Sequence, residues 1–208
     1  ARSLADMGYE VDLVEKGADL GGQLRSLGYT RTGEDPRVFL DRLVEGVESS
    51  DLISLYREAE VEEISGWVGQ YETVLRLAGG ETETLTHGAV VVATGGHEVT
   101  PHEYLYNVDE RVLTQRDLEA RLDSGSEVPS DVVMIQCVGS REPERPYCSR
   151  VCCTKAVTNA LRIKEQNPRA SVCVLYREMR TFGFYEDLYR EARQKGVVFL
   201  RYALPDKP

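Results

Sequence analysis

Four of the five cysteines lie between positions 137 and 153, spaced C-x10-C-x3-C-C as Cys137, Cys148, Cys152 and Cys153. Thiolates gathered in one stretch suit a soft metal centre: zinc, copper(I) or an iron-sulfur cluster. Structural zinc usually takes two short C-x2-C pairs, and neither is present. Iron-sulfur centres accept wider spacings. A thioredoxin-type disulfide also needs C-x2-C, and the adjacent Cys152 and Cys153 could form only a strained vicinal disulfide. Inert core cysteines are the remaining reading, but core cysteines are usually scattered rather than confined to a short loop. Arg141, Arg145 and Arg150 share the stretch. They would either balance the charge of four thiolates or belong to a solvated loop.

The elements that must position this stretch are legible around it. The apolar run 132–137 reads as a buried parallel strand. A polar loop with Gly139, Pro143 and Pro146 leads to a helix over 151–166 that ends at Asn167-Pro168, with Ala156, Ala160, Leu161 and Ile163 as packing positions. A strand over 171–176, a helix over 184–195 closed by Gly196 and a strand over 197–202 follow. The order βαβαβ demands parallel strands with right-handed crossovers, half of a doubly wound sheet. Cys173 falls inside the second of these strands and is expected in the core, not among the ligands. A dinucleotide-binding unit would run from its first strand into G-x-G-x-x-G, whereas this one runs into Cys137-Val138-Gly139-Ser140-Arg141. The phosphate-accepting glycine loop is missing, and the cysteine stretch stands in its place.

The first half has a similar logic. Residues 1–8 look like the last turns of a helix closing on Gly8, and 9–15 form a strand ending in Glu15. In a dinucleotide-binding βαβ unit the second strand ends in an acid that accepts hydrogen bonds from ribose hydroxyls, a role Glu15 fits. A solvated strand end is the plainer reading. The matching glycine loop would lie before Ala1, so the chain reads as a fragment cut within its first βαβ unit. Gly21-Gly22 permits close backbone approach. Asp35-Pro36 opens a helix to about residue 49, with Val38, Phe39, Leu43, Val44 and Val47 expected on the core face. Strands over 52–56, 59–64, 71–77 and 82–85 suggest an antiparallel meander, with Trp67 as packing. The run 88–96 reads as a buried strand breaking into Thr94-Gly95-Gly96. His87, His97 and His102 lack metal-binding spacing and are expected at the surface.

With 208 residues, 41% of them hydrophobic, the chain can bury a real core in two domains. A net charge of −10 argues against nucleic acid and anionic lipid as partners. No apolar run is long enough to insert in a membrane, no cleavable signal is visible, and an odd cysteine count does not suit a secreted disulfide framework. A cytoplasmic location is expected.

The stretch Cys137-Val138-Gly139-Ser140-Arg141, with Arg145-Pro146-Tyr147-Cys148-Ser149-Arg150-Val151-Cys152-Cys153-Thr154, resembles the flavin-binding component of heterodisulfide reductases, their A subunits. It also resembles the related flavin subunits of quinone-interacting membrane oxidoreductase complexes. The likeness extends to residues 90–96 and to Leu175-Tyr176-Arg177-Glu178-Met179-Arg180-Thr181-Phe182-Gly183. The resemblance implies a thioredoxin-reductase-like α/β fold. Residues 1–100 would be a truncated FAD-binding Rossmann-like domain with a meander, 101–130 a crossover linker, and 131–208 a Rossmann-like half-domain continuing past the last residue. It further implies a 4Fe-4S cluster on Cys137, Cys148, Cys152 and Cys153, and FAD against Glu15, Gly21, Gly22, Thr94, Gly95 and Gly96. Electrons would pass between FAD and the partner redox subunits of a larger complex. A homodimer stays open, and no catalytic residue is named. The chain departs from the family in lacking its further cysteine-rich segment, since no cysteine occurs between Gly22 and Gln136. Two alternatives stand beside this reading: a zinc-braced structural or binding module, and an NAD(P)H-dependent flavin disulfide reductase. The latter is disfavoured by the missing glycine loop and the lack of C-x2-C.

Overall fold

The computed structural model describes residues 1–30 and 35–208, and these divide into two units, 1–97 and 98–208. In the first unit a short helix, α1 (Arg2–Ala5), leads through Gly8 at φ 90° into strand β1 (Val11–Glu15). Helix α2 (Pro36–Glu48) starts where Asp35 accepts a 2.8 Å hydrogen bond from the Arg37 N–H and Pro36 presets the first turn. Its buried stripe runs through Pro36 and Leu40 to the half-buried Leu43, Val44 and Val47. Val38 and Phe39, expected in the core, are 57% and 50% exposed. They fall off the stripe because only positions three or four apart share a helix face.

Strand β2 (Ile53–Arg57) pairs parallel with β1, from Val11↔Ile53 to Glu15↔Arg57. The expectation that it opens the meander is therefore corrected: α2 is the crossover of a βαβ unit, and β2 is its second strand. The meander proper is β3 (Glu60–Trp67), β4 (Gln70–Arg76) and β5 (Thr82–His87), antiparallel in that order. Trp67 closes β3 at the hairpin and is 66% exposed, so it is not a packing residue. His87 does not simply face solvent. Its ring stacks on Tyr71, and Nε2 lies 2.7 Å from the Thr73 hydroxyl. The run after β5 also departs from expectation. Residues 88–96 form no strand, and Val91 and Val92 are 74% and 79% exposed. An apolar run becomes a strand only where a neighbour accepts its backbone hydrogen bonds, and these residues have no ladder partner.

In the second unit helix α3 (Gln115–Asp123) is held by a reciprocal cap between Thr114 and Asp117. Leu118 and Leu122 of this helix enter the core, so the segment expected as a crossover supplies one of the unit's packed elements. Next come β6 (Asp131–Ile135), α4 (Cys152–Gln166), β7 (Ser171–Tyr176), α5 (Tyr185–Gln194) and β8 (Val198–Arg201). All three strands are parallel in the order β6-β7-β8, as the βαβαβ reading requires. Met134, Val172 and Val174 pack against Ala156, Val157, Ala160 and Ile163, which carry the core.

The opposite sheet face is open. Val133, Cys173 and Val198 share one register row, and Ile135, Leu175 and Leu200 another. Of these, Val133 is 65% exposed and Val198 and Leu200 about half. Cys173 is accordingly half-buried on that face rather than in the core. The backbone of β6 ends at Ile135, two residues short of the expected strand, which leaves Cys137 at the start of the loop. Among the described residues no helix is long and apolar enough to cross a membrane.

Candidate functional site

Cys137 follows the end of β6, held by two contacts of its neighbour Gln136: the Gln136 N–H donates to Leu175 O at 2.9 Å, and Tyr202 Oη donates to Gln136 O. Burial, with negative neighbours, pushes the Tyr202 hydroxyl up to about 12, so it stays a donor. The loop from 137 to 150 is bent hard. Cys137, Arg141 and Arg150 all have left-handed φ, at 65°, 60° and 62°. Each costs on the order of 1 kcal/mol for a side chain other than glycine, and such residues gather at functional sites. Gly139, at φ 60°, takes the same conformation without that cost.

Cys152 and Cys153 occupy the first two positions of α4, where free backbone N–H groups and the helix dipole favour a thiolate. The Cys152 thiol is lowered to about 6, first by the thiol of Cys153 donating to it, then by the Ser149 hydroxyl and the N–H groups of the first turn. Ser149 Oγ lies 3.6 Å from Cys152 Sγ. Cys153 is pushed the other way, by serving as that donor and by burial. Its sulfur also lies 3.7 Å from Glu178 O. Burial raises Cys137, and its thiolate and that of Cys152 disfavour each other. Cys148 accepts from the Arg150 N–H at 3.3 Å and faces Arg180. All five cysteines are free thiols.

Cations ring these thiols. Arg141 Nη1 is 4.0 Å from Cys137 Sγ, and its Nη2 pairs with Glu178 at 2.9 Å. Arg180 clasps the same carboxylate through Nε at 3.0 Å and Nη2 at 2.8 Å. Arg180 and, behind it, Arg141 hold the Glu178 carboxyl below its usual range. Arg177 donates to Arg141 O at 2.6 Å, tying the cysteine loop to the segment after β7. Of the three arginines singled out from sequence, Arg141 and the backbone of Arg150 touch sulfur, whereas the Arg145 guanidinium lies over the Tyr147 ring at 5.9 Å. Ser149, Glu178 and Arg180 were not foreseen. The only signal for the last two was their place in the stretch from Leu175 to Gly183.

Among the described residues no three His, Cys, Asp or Glu side chains converge as a single bound ion requires. Cys137, Cys152 and Cys153 are close enough to influence one another's charge, and Cys148 joins them through the Arg180–Glu178 pair. Cys173 lies in the middle of β7, in register with Val133 and Val198. Behind the site, Lys155 Nζ binds both carboxylate oxygens of Glu119, at 2.9 and 2.8 Å, and Asn159 donates to Gln115, locking α4 to α3.

The residues expected to meet a flavin all lie in the first unit. The Glu15 carboxylate at the end of β1 accepts from the Gly17 N–H at 2.7 Å. Gly21 takes φ 113°, a conformation that favours glycine, and a Cβ there would come to 2.7 Å from the end of the Leu40 side chain. Gly22 begins a 3-10 turn (Gly22–Ser26) whose Gln23 amide donates to Gly96 O, bringing the tandem glycines beside Thr94-Gly95-Gly96. A Cβ at Gly22, Gly95 or Gly96 would meet nothing within 4 Å, so this face of the backbone is open to a ligand.

No protein-family model matches the chain. Among curated proteins it is 34% identical, over 165 residues, to the A subunit of the ferredoxin:CoB-CoM heterodisulfide reductase of Methanosarcina acetivorans, covering 58% of this chain and 21% of that one. It is 39% identical over 133 residues to the iron-sulfur A subunit of the CoB-CoM heterodisulfide reductase of Methanocaldococcus jannaschii, covering 55% and 20%. The corresponding protein from Methanopyrus kandleri, the second of its two iron-sulfur A subunits, matches 97% of this chain and 45% of its own length at 28% identity. That alignment runs over 297 residues, longer than this chain, so the relative carries inserted sequence that is absent here. The chain thus spans about a fifth of the first two relatives and under half of the third. Among solved structures, the bacillithiol disulfide reductase Bdr from Bacillus cereus superposes with a TM-score of 0.53 at 17% identity, covering 97% of this chain and 63% of that one. The chain is a sequence relative of heterodisulfide reductase A subunits, built on an α/β fold shared with a disulfide reductase.

Proposed function

We propose that the chain is part of an iron-sulfur flavoprotein, an oxidoreductase component that passes electrons between FAD and partner redox subunits in the cytoplasm. Cys137, Cys148, Cys152 and Cys153 hold a 4Fe-4S cluster. The observation that carries this is a set of four free thiols at a strand end and a helix start, ringed by guanidinium groups and backbone donors. Each iron of a cluster takes its own thiolate, and the four free thiols of this stretch could supply one apiece. Arg141 and Arg180 offset the negative charge of the thiolates, and Ser149 and the Arg150 N–H donate to sulfur. Free cysteines fit a reducing compartment. Glu15, Gly22, Thr94, Gly95 and Gly96 line the flavin, with Gly21 setting the turn that carries Gly22. When bound, a flavin exchanges electrons in pairs and a cluster one at a time, which suits a relay between unlike donors and acceptors.

Iron and acid-labile sulfide analysis of anaerobically purified chain tests the reading. The expected result is matching amounts of both with broad visible absorption. Colourless protein holding zinc would overturn it.

The same geometry opposes a nicotinamide cofactor in the second unit. A pyrophosphate would have to sit at the start of α4, where Cys152 and Cys153 already stand and a thiolate-held cluster would repel it. Calorimetric titration of NADH or NADPH into iron-loaded protein is expected to give no saturable heat. Micromolar binding that disappears on substituting Gly139 would restore the nicotinamide-linked alternative.

A further inference from the structure

Thr181 lies in the segment between β7 and α5, in the run that ties the cysteine loop down. Its side chain is 2% exposed, and among the described residues its Oγ1 is the one buried side-chain oxygen or nitrogen with no hydrogen-bond partner. A buried hydroxyl left in this state is destabilising, because its lost hydrogen bond to water is not replaced. Valine has nearly the same shape and would avoid that cost. The hydroxyl at this position is therefore a donor in want of an acceptor.

The surroundings indicate which one. Three residues earlier, Glu178 O takes the Cys153 thiol at 3.7 Å, and the preceding residue, Arg180, faces Cys148. The charged groups of this segment are already engaged with each other: Arg180 and Arg141 both bind the Glu178 carboxylate. The Thr181 hydroxyl is a donor without a partner in a segment two of whose neighbouring residues, Glu178 and Arg180, contact the thiols.

We infer that Thr181 is a positioning residue of the cysteine site, its hydroxyl donating a hydrogen bond to a sulfur of the iron-sulfur group held there. The inference rests on the cluster reading above and adds to it a donor from outside the cysteine loop. A donor to cluster sulfur stabilises the more negative, reduced state and so raises the potential. Supporting hydrogen bonds of this kind are typically worth 10–100-fold in metal affinity.

The test compares Thr181→Val and Thr181→Ser with wild type, as the full chain, before and after anaerobic loading with iron and sulfide. In metal-free protein Thr181→Val should melt at or above the wild-type temperature, because it removes an unsatisfied buried group. In loaded protein it should give up iron to a chelator roughly tenfold faster and show a more negative midpoint potential. Thr181→Ser should restore both. Iron loss and potential equal to wild type would overturn the inference. So would a Thr181→Val variant destabilised as strongly without metal as with it, since that would mean an ordinary structural role. Wild-type chain that takes up no iron and sulfide sinks the cluster reading and this inference together, an outcome distinct from a loaded wild type with a silent variant.

Discussion

Cys148→Ser is expected to leave the chain with only a small fraction of the wild-type iron after anaerobic reconstitution, while Cys173→Ser keeps all of it. A serine oxygen is a poor substitute for thiolate at a soft metal, and Cys148 lies in the loop where Arg150 and Arg180 attend its sulfur. Cys173 sits mid-strand on the open face of its sheet, in a row with Val133 and Val198. Its contacts are with the sheet, and serine there changes none of the loop. Iron determined against protein, with circular dichroism to confirm folding, reads the result. Equal loss from both variants would show the ligand set to be wrong, and no loss from either would remove the cysteine loop as the iron site.

A comparably large effect is expected on stability from Lys155→Met. Glu119 is 1% exposed and Lys155 about a quarter, and the two make two short hydrogen bonds. Removing the ammonium leaves the carboxylate in the interior with much of its compensation gone, a loss of about 3 kcal/mol. For a unit of this size that lowers the melting temperature by roughly 10 °C or more. The double variant Glu119→Leu/Lys155→Met should regain most of the loss, because an apolar pair of similar volume often serves as well as a buried ion pair. An unchanged melting temperature in the single variant would mean that Leu118, Leu122, their apolar neighbours and the Asn159–Gln115 hydrogen bonds hold α3 to α4 without the ion pair. The pair also lies three residues along α4 from Cys152, so the single variant reports on how firmly the start of that helix is anchored.

The second unit was largely legible from its residues. Three apolar runs separated by two amphipathic stretches admit few arrangements other than parallel strands with helical crossovers, and Ala156, Ala160, Leu161 and Ile163 are all buried on α4 as the spacing implies. Misreadings cluster where pairing or facing is decided at a distance. Val91 and Val92 have the composition of a strand, but composition does not supply a ladder partner. The second strand of the first unit looks like a meander strand until β1 is seen to pair with it in parallel. Val38 and Phe39 are apolar residues on the wrong side of a helix whose buried stripe is set by Pro36 and Leu40. At the cysteine site the thiols were visible because they are rare and grouped. Glu178 and Arg180 were not, because they reach the site from a separate segment and are ordinary residues until folding puts them there.

The uncovered face of the second sheet bears on how copies of this chain behave toward one another. Parallel sheets are normally sheathed on both sides, and this one turns Val133, Val198 and Leu200 to water. Two such planes attract at short range, and the surplus of acid that gives the chain a net charge of −10 opposes that attraction. That repulsion is long-ranged only in dilute buffer, since physiological salt confines it to about 8 Å. Colloidal stability of the chain is therefore expected to depend on ionic strength and on distance from the isoelectric point.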